Sequence, residues 1–154
     1  LDHRNDVRAL QPLVTAGYVV DTIETAARWR DLPALVDAVL SAVRAVDHTV
    51  LVSVHQSHAY GPGACCYFTF GGQPPADGRD AYYHAVFDAA LRAALAHGGA
   101  LSHHHGIGLN RAARVADALG TGFGVLAATK AALDPHGICN PGKLGLPDPF
   151  ASRR

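Results

Sequence analysis

Gly61-Pro62-Gly63 divides the chain near its middle, because such a run neither continues a helix nor pairs as a central strand. The segment just beyond it constrains the fold most. Residues 64–70 alternate, with Cys66, Phe68 and Phe70 on one side and Cys65, Tyr67 and Thr69 on the other. That spacing predicts a strand with one strongly apolar face and one mixed face, and so a sheet covered on one side.

The flanking segments supply partners for that strand. Residues 18–24 are short and rich in β-branched side chains, and residues 49–55 place Val50, Val52 and Val54 at alternate positions; both predict strands. Residues 55–63 read as the lead into a turn. Between the first two strands, Leu32, Leu35, Val36, Val39, Leu40 and Val43 recur at helical spacing. Asp31 is placed to cap this helix, Pro33 is tolerated in its first turn, and the end falls near Val46-Asp47. After a Gly/Pro loop over 71–78, a long helix capped by Asp77 or Asp80 buries Tyr83, Val86, Phe87, Ala90, Leu91, Ala94 and Leu95. Gly98-Gly99 ends it.

The order strand, helix, strand, strand, helix predicts an α+β fold: a ferredoxin-like, antiparallel sheet with helices on one face. Shorter helices over 111–119 and 124–133 and a turn-rich ending form a C-terminal helical tail. We divide the chain into a lead-in over 1–16, a substrate or cap domain over 17–100, and a histidine segment with its tail over 101–154.

Composition narrows the function classes. With 49% hydrophobic and 17% charged residues, disorder is excluded. Thirteen basic residues balance thirteen acidic ones, so nothing points to nucleic acid. No run approaches the roughly 18 apolar residues of a membrane helix. Cys65, Cys66 and Cys139 are odd in number and form no CxxC pair, which suggests reduced, buried or half-buried thiols in a cytoplasmic protein. The sequence opens Leu1-Asp2-His3 and has no methionine; it reads as part of something longer.

The strongest chemical signal is Ser102-His103-His104-His105-Gly106-Ile107-Gly108, preceded by Gly98-Gly99. Three successive imidazoles cannot all face one way on a strand, and the glycines imply tight backbone paths. Imidazole holds or moves a proton near neutral pH. A solvated polar loop is the bland alternative. A metal cluster is another, but adjacent residues make poor joint ligands and would need His55 or His58; no acidic partner is evident near the triplet. Tyr67 shares the mixed strand face with Thr69, where its phenol suits proton transfer or simply fills the core.

The His-His-His-Gly segment resembles that of alkyl-dihydroxyacetone-phosphate synthases, flavoenzymes of the vanillyl-alcohol-oxidase type among the FAD-linked oxidases. Gly63-Ala64-Cys65-Cys66-Tyr67-Phe68-Thr69-Phe70 is similar to the segment that carries a functional tyrosine in that family. Val20-Asp21-Thr22-Ile23-Glu24-Thr25-Ala26-Ala27-Arg28-Trp29 resembles its acidic-Thr-to-Trp stretch. The ending Asn140-Pro141-Gly142-Lys143 is similar to the closing motif of FAD-linked oxidases at large. The resemblance runs from about residue 17 to 146.

The resemblance implies exchange of an acyl chain for a fatty alcohol at a carbon oxidised and re-reduced through FAD, without net redox. Tyr67, His103, His104 and His105 are the implied catalytic residues. Asn140, Gly142 and Lys143 are implied to meet the cofactor, and Arg111 and Trp29 the substrate. The implied partners are an N-terminal FAD-binding domain outside this chain and a small-molecule substrate, lipid or phosphate-bearing; a homodimer and membrane association of the longer protein stay open. Leu109-Asn110 stand before Arg111 where the synthases place basic residues, so phosphate recognition is expected to differ. In the related 2-hydroxy-acid dehydrogenases, Glu-His-Gly-Ile-Gly occupies this place, and His104 stands where their glutamate would be. That substitution favours a site without metal. The other readings are an FAD-dependent 2-hydroxy-acid dehydrogenase and a stand-alone ligand-binding or dimerising module.

Overall fold

Side chains of β-branched and aromatic residues build a three-stranded antiparallel sheet at the centre of the chain. The structure, a computed structural model, describes residues 7–151; the ends of the expected lead-in and tail, residues 1–6 and 152–154, lie outside the described residues. A 3-10 turn (Val7–Leu10) runs into a short helix, α1 (Gln11–Thr15). The body follows as β1 (Val19–Arg28), α2 (Leu32–Arg44), β2 (Thr49–Ala59), β3 (Gly63–Gly72) and α3 (Arg79–Ala96). The tail holds α4 (Val115–Leu119) and α5 (Gly122–Leu133).

The strand order is β1-β3-β2, with both pairings antiparallel. The α+β class and the antiparallel sheet agree with the sequence. A ferredoxin-like layer has four strands, and the described residues supply three.

Strand β3 lies between the others, and Ala64, Cys65, Cys66, Phe68 and Phe70 are all buried along it. Phe68 and Phe70 pack with Ile23, with Leu35, Val39 and Val43 of α2, and with Val86, Phe87 and Leu91 of α3. Burying a side chain of that size contributes about 2–3 kcal/mol. The opposite face carries Thr22 and Glu24 of β1, Tyr67 and Thr69 of β3, and Ser53 and His55 of β2, as register requires. Helices α2 and α3 thus cover one face, and the second, polar face is left for the chemistry.

Several local expectations change. Asp31 does precede α2, but its backbone is already helical and its side chain makes no cap bond. Neither Asp77 nor Asp80 caps α3: a 3-10 turn (Ala76–Gly78) feeds the helix, and Gly78 holds the cap position. Asp80 instead sits in the first turn, where the helix dipole favours a negative charge. The three valines of β2 are not equivalent. Val52 is buried, while Val50 is 66% exposed because the register shifts between Thr49 and Leu51. Strand β2 also continues through His55 to Ala59, where the sequence suggested a turn. All three thiols are free, and Cys139 is exposed rather than half-buried. Among the described residues, no helix is long and apolar enough to cross a membrane.

The end of α3 positions the histidines. Gly98 takes φ +74°, Gly99 N–H donates to the Ala94 carbonyl at 2.8 Å and Gly98 N–H to that of Leu95 at 3.2 Å. This pair of bonds closes a helix through a left-handed glycine. A side chain at position 99 would meet Leu35 Cδ1 at 2.5 Å, so glycine is required there. Ala100 then docks on β1, its N–H donating to the Ala26 carbonyl at 2.8 Å and its carbonyl accepting from the Thr25 hydroxyl. Residues 102–105 are delivered over the polar sheet face.

Candidate active site

A carboxylate organises this loop. Glu24 is wholly buried. Its Oε1 accepts the backbone N–H groups of His103 at 2.7 Å, His104 at 3.0 Å and His105 at 2.9 Å, together with the Ser102 hydroxyl. Its Oε2 takes the Cys65 thiol at 3.5 Å. Burial by itself raises the carboxyl's pKa. The bonds from Ser102, His105, His103 and Cys65 outweigh burial and hold it at about 2. The same neighbourhood pushes Cys65 up to about 12, through burial first and then Glu24. The acidic partner not evident in the sequence is therefore supplied from β1; it binds the backbone of the triplet, and its Oε2 lies 3.9 Å from His103 Nδ1 and 3.8 Å from His104 Nδ1.

With their N–H groups turned inward, the imidazoles are left to the open side. Tyr67 Oη and His104 Nε2 share a hydrogen bond of 2.7 Å, and His103 Nδ1 and His104 Nδ1 share another of 2.7 Å. If the Tyr67 hydroxyl donates, Nε2 accepts, and His104 Nδ1–H donates onward to His103. The His105 ring meets Tyr67 edge-on at 5.4 Å. Tyr67 thus touches His104 and His105 of the triplet. Its pKa is raised, first by burial and then by Cys65, Glu24 and Tyr60, so the phenol keeps its proton at neutral pH.

The remaining expected residues stand elsewhere. Arg111 is buried beneath the loop, where Nε donates to the Leu101 carbonyl at 2.9 Å and the guanidinium lies 5.7 Å from the Phe87 ring centre. Trp29 Nε1 donates to the carbonyls of Tyr60 at 2.9 Å and Gly61 at 3.1 Å, pinning the β2–β3 turn. That turn borders a cavity of ≈ 400 Å³ lined by small residues of β1, by Gly98-Gly99-Ala100, and by Tyr60 and His103. Asn140, Gly142 and Lys143 line or adjoin a separate cavity below α5. Asn140 (φ +48°) and Gly142 (φ +71°) take left-handed backbone. Asp134 shapes their approach by accepting the N–H groups of Ile138 at 3.0 Å and Cys139 at 2.9 Å.

Sequence reasoning missed Glu24 as a site group and named His58 only as a helper that a metal cluster would need. Glu24 was visible as a charge inside a β-branched run, which is costly in a sheet unless partnered. His58 lies 5.0 Å from the His104 ring and 5.6 Å from the His103 ring, centre to centre.

The family model for the C-terminal domain of FAD linked oxidases matches residues 3–144. The chain belongs to that family. This C-terminal domain is 44% identical over 101 residues to an alkyldihydroxyacetonephosphate synthase of Trypanosoma brucei brucei, a match over 64% of the chain and 16% of that protein. It is 33% identical over 94 residues to the synthase of the same name from Dictyostelium discoideum, over 60% of the chain and 15% of that protein. A solved alkyldihydroxyacetonephosphate synthase structure superposes with a TM-score of 0.57 at 25% identity, covering 86% of this chain and 22% of that one. The domain therefore spans less than a quarter of each of these relatives.

Proposed function

We propose that this domain is the substrate-side half of an FAD-dependent active site, similar in activity to the alkyldihydroxyacetonephosphate synthases it resembles. The single observation that carries the reading is the 2.7 Å bond between Tyr67 and His104, where the histidine loop meets the polar sheet face. A phenol that holds its proton beside an imidazole is a proton-transfer pair. His103, one hydrogen bond further on, extends it inward toward Glu24, its side chain 22% exposed against 45% for His104, and His105 borders the space above Tyr67.

The donor set fits the substrate side of a flavin site. Thr22, Tyr67, Thr69, Ser53 and His55 give a polar floor. The matching family model is that of a C-terminal domain, which supports a division in which an N-terminal domain holds most of the FAD. When bound, FAD supplies reversible oxidation of a substrate carbon. The protein's part is to move the proton: Tyr67 gives or recovers it at Oη, and His104 accepts it at Nε2. Asn140, Gly142 and Lys143 offer an open turn and an exposed ammonium toward the cofactor. Trp29 and the ≈ 400 Å³ cavity beside His103 suit an apolar part of the substrate. Arg111 acts from beneath by fixing the Leu101 carbonyl, and with it the start of the histidine loop.

The test is the full-length protein that contains this domain. The reading expects a bound-flavin absorption band and exchange of an acyl ester for a fatty alcohol on an acylated dihydroxyacetone phosphate. Protein that binds flavin yet turns over only a 2-hydroxy acid would replace this reading, and protein that folds without flavin would refute it.

A further inference from the structure

Two carboxylates of β1, three residues apart, hold the histidine loop from opposite sides of the sheet. Glu24 takes the near end, residues 103–105, on the polar face. Asp21 pairs in register with buried Phe70 and so faces the helix layer. There the Tyr83 hydroxyl of α3 donates to Asp21 Oδ2 at 2.7 Å, and Asn110 Nδ2 donates to the Tyr83 oxygen at 2.9 Å. The Tyr83 ring packs 4.8 Å from that of Phe87, which fixes the hydroxyl in place. Tyr83 keeps its proton, its pKa pushed up to about 12 by burial and then by the bond to Asp21. Its one O–H therefore stays on Asp21, and its oxygen stays an acceptor for Asn110.

The stretch between the two anchors has little support of its own. Of residues 106–109 only Ile107 is partly buried. Gly106 (φ +80°) and Gly108 (φ +58°) take left-handed backbone, and a side chain at either would meet nothing within 4 Å. Packing does not impose this shape, so it is set from the ends. Arg111 closes the loop on itself through the Leu101 carbonyl, and its neighbour Asn110 ties that closure to α3 and β1.

We infer that Asn110, acting through Tyr83 and Asp21, is a positioning residue for the Tyr67–His104 pair: it locates the far end of the histidine loop as Glu24 locates the near end. The inference rests on the proton-transfer reading above. Releasing Asn110 frees the turn that follows His105, whose ring meets Tyr67 at 5.4 Å, and loosens the 2.7 Å approach of His104. The fold itself loses little, because Tyr83 still donates to Asp21 and no donor is left unpaired.

The experiment measures steady-state turnover, flavin content and thermal midpoint for Asn110→Leu, Tyr67→Phe and the double variant of the full-length flavoprotein. Asn110→Leu is expected to lower kcat by more than roughly tenfold, within the 10²-fold that an ångström of misplacement can cost, with KM, flavin and midpoint retained. In the Tyr67→Phe background it is expected to lower kcat no further, as two residues acting through one unit require. Native kcat in Asn110→Leu would overturn the inference, as would an equal loss in both backgrounds, a change confined to KM, or loss of flavin or fold, which assigns Asn110 a merely structural role. Native turnover in Tyr67→Phe would instead remove the proton-transfer reading, and this inference with it.

Discussion

Across 81 residues of sequence, Glu24 Oε1 accepts the backbone N–H of His105 at 2.9 Å. With the companion bonds from His103 and His104, this carboxylate fixes the whole loop by its backbone. In Glu24→Gln, one carboxylate oxygen becomes an NH₂ facing other donors. Leaving such groups unpaired in the interior costs about 2–4 kcal/mol, which a chemical denaturation curve measures. Glu24→Gln is therefore expected to lose the Tyr67–His104 contact by releasing the backbone of the loop.

The same carboxylate sets the acid limb of stability. Its folded pKa of about 2 lies below the ordinary 4.5. A group lowered in this way stabilises the fold fully above pH 4.5 and loses that contribution as pH falls toward 2. The loss amounts to about 3 kcal/mol. Unfolding free energies measured between pH 6 and pH 2 are expected to fall in the native protein and to flatten in Glu24→Gln.

On the alkaline side the sign reverses. Cys65 and Tyr83 are both pushed up to about 12, Cys65 by burial and then Glu24, Tyr83 by burial and then its bond to Asp21. Their contribution is complete below pH 9 and is lost as pH rises toward 12. A thiol-reactive chromogen at neutral pH is expected to label Cys139 alone in the folded protein, and all three cysteines after denaturation.

Gly63 tests the packing of the sheet against its own backbone. A Cβ there would lie 2.0 Å from the Ala27 carbonyl oxygen, a contact no rotamer relieves. Gly63→Ala is expected to lower stability by about 1–3 kcal/mol, read as a shift of the denaturation midpoint.

Much of this architecture was legible because it is local. The alternation of residues 64–70 fixed which side of β3 meets the helices, and the stripe from Leu32 to Val43 gave α2 its buried face. The Gly98-Gly99 stop was legible too, since glycine closes α3 by its own backbone geometry. What was not legible depends on register between distant strands. Glu24 comes beneath the triplet only because β1 pairs with β3 so that it stands opposite Tyr67. His58 joins the rings through a single extra residue in β2, and one residue of slip changes the face on which a side chain lies. The resemblance implied a substrate role for Arg111, whose side chain the fold buries under the loop against the Leu101 carbonyl.

The central claim is that Tyr67 and His104 form one proton-transfer unit. It is tested most directly by steady-state turnover of Tyr67→Phe in the full-length flavoprotein, with flavin content measured on the same sample. The claim predicts retained flavin and turnover lower by about 10²–10⁴-fold, the usual worth of a positioned acid or base. Native turnover with flavin retained would contradict it.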